Sequence, residues 1–159
     1  VIFKSPTCTT ADIKCVEALA EIAGIEDFKE LGMEMFRVKS AVQGTPVRDL
    51  VKRDFKDFDM HGNLVGIGQL EFIDLSVFDD IKADRAKDIV ALEEEGQRHS
   101  VLLLLTDIMK EGSLMLVASD DGTIVEKAYD VVVDNGEVWL DGVLSRKKQV
   151  VPPLQDAFA

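Results

Sequence analysis

The chain has 159 residues, 47% of them hydrophobic, and a formal net charge of −12 from 30 acidic and 18 basic residues. This length suits one domain with a hydrophobic core of its own. The acidic balance argues against general binding to nucleic acids or membranes, which needs a basic surface, and it makes any local cluster of Lys and Arg informative.

The cysteines and the apolar runs indicate the cellular location of the protein. If the first segment is helical, Cys8 and Cys15 lie about 10 Å apart along its axis, which is too far for a disulfide. We therefore expect reduced thiols and a cytoplasmic protein. The longest apolar run, Val101–Leu105, is too short to cross a bilayer, so we expect no transmembrane helix. The first residues lack the features of a secretory signal, so we expect no signal peptide either.

The first third of the chain predicts three helices. Apolar residues at helical spacing place these helices over Ser5–Ala23, Asp27–Val42 and Thr45–Lys52. Thr9 or Thr10 is a suitable N-cap for the first helix, and Gly24 is a suitable C-terminal stop.

The apolar residues then change from helical spacing to the spacing of strands. Asp57–Met60 and Leu64–Asp74 are joined by a short turn, which predicts an antiparallel hairpin. Gly66 and Gly68 lie inside the second strand, where they predict a bulge or a bend.

A charged, amphipathic segment next predicts a helix over Val77–Glu95. Val101–Thr106 is apolar along almost its whole length, which predicts a strand that is covered on both faces. Leu114–Ser119 follows after a short turn and is the expected neighbour of that strand.

The last quarter of the chain predicts a helix over Thr123–Tyr129 and a hairpin of Val131–Val133 with Glu137–Leu140. An extended segment, Ser145–Gln149, and a last helical turn complete the chain. The whole pattern predicts an α/β fold, with a single domain whose mixed, mostly short-stranded sheet is flanked by helices. A fold of this kind does not by itself name a function.

The strongest local signal is the run Arg146, Lys147 and Lys148 in an otherwise acidic chain. The guanidinium of Arg146 offers a planar fork of donors to two phosphate oxygens, and Lys147 offers a point charge. On an extended segment, Arg146 and Lys148 would point to one side and Lys147 to the other. The alternative is a basic stretch that only faces water.

A second pair of cations, Arg37 and Lys39, lies on the second predicted helix. Two residues apart on a helix means about 200° around its axis, so only one of the two faces a given pocket. The alternative is an ordinary solvated helix surface.

Metal ligands and catalytic groups are not indicated by the sequence. The acidic pairs Asp79–Asp80 and Asp120–Asp121 lack the alternating spacing of a calcium loop. His61 and His99 have no Cys or carboxylate at zinc-ligand spacing. We therefore predict no metal site and no catalytic residue in this chain.

Two stretches near the ends of the chain resemble a known family. Phe3–Thr9, with the letters FKSPTCT, resembles the interdomain junction of the manganese-dependent, family II inorganic pyrophosphatases. Gly142–Pro152, which contains Ser-Arg-Lys-Lys-Gln, is similar to their C-terminal motif, and this motif is specific within the wider DHH phosphoesterase group. Three shorter stretches match in the same order: Ala20–Gly24, Thr106–Ile108 and Val125–Ala128.

The resemblance implies that residues 1–159 are the C-terminal (DHH-associated, second type), substrate-binding domain of an enzyme that hydrolyses pyrophosphate to two phosphates. In that family an N-terminal domain holds manganese with Asp and His ligands, including an Asp-His-His motif that this sequence lacks. The resemblance therefore implies that the metal-binding domain is absent here and that the chain alone is inactive. The implied partners are pyrophosphate, that N-terminal domain and, for the full-length protein, a second copy.

The resemblance also implies roles for particular residues. Arg146 and Lys147 would bind phosphate. A further cation comes from the second helix, where Arg37 matches the position that usually holds Lys, and Lys39 is the alternative. Two other interpretations stay open: the C-terminal domain of another DHH phosphoesterase, such as an exopolyphosphatase, or a stand-alone anion-binding module.

Overall fold

A computed structural model describes residues 3–40, 42, 45–76 and 82–159, with only the backbone at 47 and 82–86. The helices are α1 Thr10–Ala23, α2 Phe28–Lys39, α3 Val47–Lys52, α4 Lys82–Gly96, α5 Thr123–Tyr129 and α6 Val151–Phe158. The strands are β1 Phe55–Met60, β2 Asn63–Phe72, β3 Ser100–Asp107, β4 Gly112–Ser119 and β5 Glu137–Asp141. A π-helical turn, Arg146–Val150, precedes α6. The predicted start of the fourth helix, residues 77–81, lies outside the described residues.

The strands form one five-stranded sheet in the order β1-β2-β3-β4-β5. β2 and β3 are parallel and are connected through α4, whereas the other neighbouring pairs are antiparallel. The predicted mixed sheet with flanking helices, an α/β fold, is therefore confirmed. No helix in the described part of the chain is long and apolar enough to cross a membrane.

The hydrophobic core lies on both faces of the sheet. Every residue of β3 is buried, as its apolar run predicts, because successive side chains point to opposite faces. On one face Leu102 and Leu104 pack in a cluster that includes residues of α5 and α6. On the other face Leu103 and Leu105 pack in a cluster that includes residues of α3 and α4.

The first two helices lie at the edge of this core. Thr9 caps α1, and the Asp12 side chain returns the contact to the backbone of Thr9, which is why the helix begins later than the predicted Ser5. Gly24 ends α1 in the left-handed region, with φ at 68°. None of the α2 side chains is buried.

The two glycines of β2 do not mark a bulge. The pairing of β1 with β2 is continuous, from Phe55 opposite Gly68 to Met60 opposite Asn63. The glycines instead leave space for the ring of Phe55, because a Cβ atom at Gly66 would lie 2.3 Å from its Cζ. The predicted bulge is therefore wrong, and the alternative, a bend, stays a prediction.

The predicted hairpin of Val131–Val133 with Glu137–Leu140 is also wrong. Only an isolated bridge, Asp134 with Glu137, forms there, and β5 pairs with β4 instead. The backbone before the turn bonds to a side chain in the middle of α5, since the N–H of Val133 donates to Oε1 of Glu126 at 2.9 Å.

Candidate functional site

The basic run forms a helical turn rather than the extended segment predicted from the sequence. Ser145 begins the turn, and its Oγ accepts the N–H of Lys148 at 3.3 Å. Pro152 and Pro153 follow at the start of α6 and have no N–H to donate to the turn before them. The N–H of Val151 donates instead to the carbonyl of Arg146, five residues earlier. This is the hydrogen-bond spacing of a π-helix. Such π-helical turns occur frequently at functional sites.

The three cations of the turn point in different directions. Arg146 is buried, with 8% of its surface exposed. Lys148 donates from Nζ to the carbonyl of Pro6 at 2.6 Å, which ties it to the N-terminal segment. Lys147 is exposed and has no side-chain partner among the described residues. The predicted sharing of one side by Arg146 and Lys148 is wrong, because it assumed an extended backbone.

The guanidinium of Arg146 is fixed by the neighbouring strands. Nη1 donates to the carbonyl oxygens of Asp54 at 2.8 Å and Ile67 at 3.0 Å. Nη2 donates to Oδ1 of Asp54 at 2.7 Å. A guanidinium has five N–H donors, so the Nε–H and one Nη2–H are left without a partner among the described residues.

Two glutamine side chains fix the backbone at the start of the turn. Gln149 accepts from the N–H groups of Leu144 and Ser145, both at 3.0 Å. Gln69, on β2, accepts from the N–H of Arg146 at 3.2 Å. The sequence analysis missed Gln69 and Asp54. For Gln69 a signal existed, since an amide in the otherwise apolar middle of β2 requires hydrogen-bond partners.

A cavity of about 350 Å³ lies beside this turn. Asp54 and Gln69, which both bond Arg146, belong to its lining. The lining residues are Lys39, Val42, Arg53, Asp54, Gln69, Leu70, Glu71 and Phe72. The Nζ of Lys39 donates to Oε2 of Glu71 at 2.7 Å. One of the two predicted α2 cations, Lys39, therefore lies at the cavity.

Arg37, the other predicted cation, does not line the cavity. Its Nη1 donates to Oε1 of Glu30 and Oε2 of Glu34, both at 2.8 Å. These hydrogen bonds on its own helix raise the pKa of Arg37, so it stays charged. The side chain is 50% exposed. The assignment of Arg146, Lys147 and Arg37, with Lys39 as the alternative, to substrate binding stays a prediction.

A second cavity, of about 550 Å³, includes the start of β2 and the end of α4 in its lining. Glu93, Asp120 and His99 are among its lining residues. Burial and, second, the charge of Asp120 raise the pKa of Glu93. Oε1 of Glu93 is buried and has no hydrogen-bond partner among the residues that the structure describes. Nowhere in residues 3–40, 42, 45–76 and 82–159 do three His, Cys, Asp or Glu side chains come together as metal ligands.

Residues 33–157 match the DHHA2 domain family. An Archaeoglobus fulgidus protein named "Probable manganese-dependent inorganic pyrophosphatase" is 48% identical over 159 residues, which are 100% of this chain and 49% of that protein. The manganese-dependent inorganic pyrophosphatase of Methanocaldococcus jannaschii is 46% identical over 162 residues, covering 99% of this chain and 51% of that protein. A cobalt-dependent inorganic pyrophosphatase of Clostridium perfringens is 40% identical over 154 residues, covering 97% of this chain and 28% of that protein.

Solved structures agree with these relatives. A crystal structure of a Methanococcus jannaschii protein assigned to the family II inorganic pyrophosphatases matches with a TM-score of 0.90 at 45% identity, over 98% of this chain and 50% of that one. The chain spans about half the length of the first two relatives, and the matching half is the C-terminal one. The resemblance seen in the end motifs is thus confirmed: the chain is similar to the C-terminal half of family II inorganic pyrophosphatases, and it belongs to the DHHA2 domain family.

Proposed function

We propose that this chain is the pyrophosphate-binding half of a manganese-dependent inorganic pyrophosphatase, which hydrolyses pyrophosphate to two phosphates. The observation that supports the proposal best is the π-helical turn, where a fixed Arg146 with two unused donors stands next to an exposed Lys147. We use "full-length protein" for this chain together with the N-terminal half that its relatives carry.

The turn suits a small, highly charged anion. The Nε–H and the remaining Nη2–H of Arg146 suit two oxygens of one phosphate group, and charged donors make the stronger hydrogen bonds to such oxygens. Lys147 adds a positive charge from the next position in the chain. Because the chain carries a net charge of −12, the anion depends on this local cluster rather than on the general field of the protein.

Arg37 is proposed as the third cation, with Lys39 as the alternative. The ion pairs of Arg37 with Glu30 and Glu34 are all at least half exposed, and exposed pairs are weak, so a phosphate group displaces them at little cost. Lys39, itself 62% exposed, is paired with Glu71, whose side chain is 29% exposed, so its partner is less exposed than those of Arg37.

The described residues do not fit a manganese ion, because they bring no set of His, Cys, Asp or Glu ligands together. We therefore propose that the N-terminal half of the full-length protein binds the manganese and that the isolated chain does not hydrolyse pyrophosphate. The cytoplasmic location and a homodimeric full-length protein stay predictions.

A substrate comparison tests the proposal. The full-length protein is assayed with manganese for phosphate release from pyrophosphate, from linear polyphosphate and from a short oligonucleotide. We expect pyrophosphate to give the highest kcat/KM. A clear preference for polyphosphate would instead identify an exopolyphosphatase, and a preference for the oligonucleotide a nuclease.

A further inference from the structure

The side chain of Gln69 makes three hydrogen bonds, two through its Nε2–H groups and one through Oε1. Its Oε1 accepts the N–H of Arg146 at 3.2 Å. Its Nε2 donates to Oγ1 of Thr106 at 3.0 Å and to the carbonyl of Leu144 at 3.2 Å. The backbone groups of Arg146 and Leu144 dictate this orientation, since an N–H must meet the oxygen of the amide and a carbonyl must meet its nitrogen.

These bonds connect the sheet to the π-helical turn. Gln69 is on β2 and Thr106 on the adjacent β3, so the amide is anchored by two central strands. Its other two partners lie on either side of Ser145, the residue that begins the turn. The bonds to them span 75 and 77 residues of sequence. Gln69 is thereby the tie between the sheet and the backbone that directs the two predicted phosphate ligands.

A second glutamine ties the same backbone from within the motif. Gln149 accepts from Leu144 and Ser145, and its Nε2 donates to the carbonyl of Gly142 at 2.8 Å. Gln149 therefore gives the turn its shape, but those bonds do not reach the sheet. From the strands, Gln69 bonds the N–H of Arg146 inside the turn, whereas Ser113 on β4 bonds only the carbonyl of Val143, before the turn, at 2.6 Å.

We propose that Gln69 is a positioning residue for pyrophosphate binding. It acts by holding the backbone of Arg146, and through it the direction in which Lys147 leaves the turn. This inference rests on the proposed function. Lys147 has no side-chain partner among the described residues, so its position depends on the backbone alone. A displacement of about 1 Å in such a group can cost on the order of a hundredfold in rate.

Gln69→Met tests the inference, because Met has a similar length and cannot make the three hydrogen bonds. We expect kcat/KM of the full-length protein for pyrophosphate to fall about tenfold or more. In the 159-residue chain, hydrogen exchange of the Arg146 amide should become faster, since this N–H loses its acceptor. Gln155→Met is the matched control: Gln155 is exposed on α6, and both measurements should stay at wild-type values.

A second variant covers the case in which Gln69→Met does not fold. Gln69→Glu keeps the acceptor for Arg146 but turns an oxygen towards the carbonyl of Leu144, so kcat/KM should fall in the same direction. The inference is overturned if the folded variants keep kcat/KM within about twofold of wild type, even when their melting temperature falls.

The same assay separates this inference from the proposed function. If Arg146→Ala and Lys147→Ala abolish hydrolysis while Gln69→Met does not impair it, the positioning role alone is wrong. If Arg146→Ala and Lys147→Ala leave hydrolysis intact, the proposed function is wrong, and the role of Gln69 is wrong with it.

Discussion

The guanidinium of Arg146 and the Asp54 carboxylate, 92 residues apart in sequence, form an ion pair at 2.7 Å. Nη1 of the same guanidinium also bonds the carbonyl oxygen of Asp54. One residue, immediately before β1, therefore fixes one edge of the guanidinium, and the Nε edge has no partner among the described residues. Arg146 is thus both a structural residue of the sheet edge and a proposed phosphate ligand.

The structural role of Arg146 predicts a loss of stability on substitution. Arg146→Ala removes three hydrogen bonds, and we expect a cost of about 2–3 kcal/mol, with the pair to the half-exposed Asp54 contributing least. For a chain of this size that lowers the melting temperature by about 5–10 °C. Lys147→Ala is the control and should melt like wild type. An unchanged melt for Arg146→Ala would show that these bonds contribute nothing.

Single substitutions in the full-length protein show which of the two candidate cations on α2 binds pyrophosphate. We expect Arg37→Ala to raise KM for pyrophosphate several-fold and Lys39→Ala to change it less, because the exposed partners of Arg37, Glu30 and Glu34, are more easily displaced than the partly buried Glu71 that pairs with Lys39. The assay is phosphate release over a range of pyrophosphate concentrations. A larger effect of Lys39→Ala would assign the substrate contact to the cavity beside Gln69 instead.

Glu93 predicts a pH dependence of stability. Burial and, second, Asp120 raise its pKa in the folded chain, so the folded state favours the protonated form. This contribution to stability is complete below the unfolded pKa of about 4.3 and is lost as pH rises through the higher folded pKa. At neutral pH the wild type therefore carries an unfavourable charge there.

Glu93→Gln removes that charge and should raise the melting temperature at pH 7. The gain should shrink towards zero as the pH falls to about 4, where wild-type Glu93 is protonated as well. Melts of both proteins over this pH range provide the measurement. Glu94→Gln, at an exposed neighbouring position, is the control and should have a smaller effect. A constant or negative difference over the whole range would contradict the assignment.

The isolated chain should neither hydrolyse pyrophosphate nor need a metal to fold. With millimolar manganese or cobalt we expect no turnover, because the described residues include no metal-ligand set. Thermal melts with and without a chelator should coincide, because the core on both faces of the sheet is hydrophobic. Hydrolysis at about 1 per second or faster would be an ordinary enzymatic rate and would contradict the proposal.

Features that depend on local sequence were predictable. Thr9 and Gly24 mark the ends of α1 because capping needs only a hydroxyl or a left-handed backbone at one position. The run Val101–Leu105 lies in the buried central strand, because a strand covered on both faces needs apolar residues at every position.

Features that depend on contacts distant in sequence were not predictable. Gly66 is required by the ring of Phe55 on the neighbouring strand, which no local pattern reveals. Val131–Val133 has the composition of a strand, but its backbone bonds to Glu126 in the middle of α5. The burial of Arg146 depends on acceptors at Asp54 and Ile67, so the sequence predicted the residue but not its surroundings.

We propose that the π-helical turn binds pyrophosphate, and Lys147 tests this most directly because its exposed side chain has no partner among the described residues. The measurement is pyrophosphate hydrolysis by the full-length protein with Lys147→Ala, and with Lys148→Ala as the control, since Lys148 bonds Pro6 instead. We predict that Lys147→Ala lowers kcat/KM about a hundredfold and that Lys148→Ala stays within a few-fold of wild type. Near-normal hydrolysis by Lys147→Ala at both low and saturating pyrophosphate would contradict the claim and leave the basic turn as solvated surface.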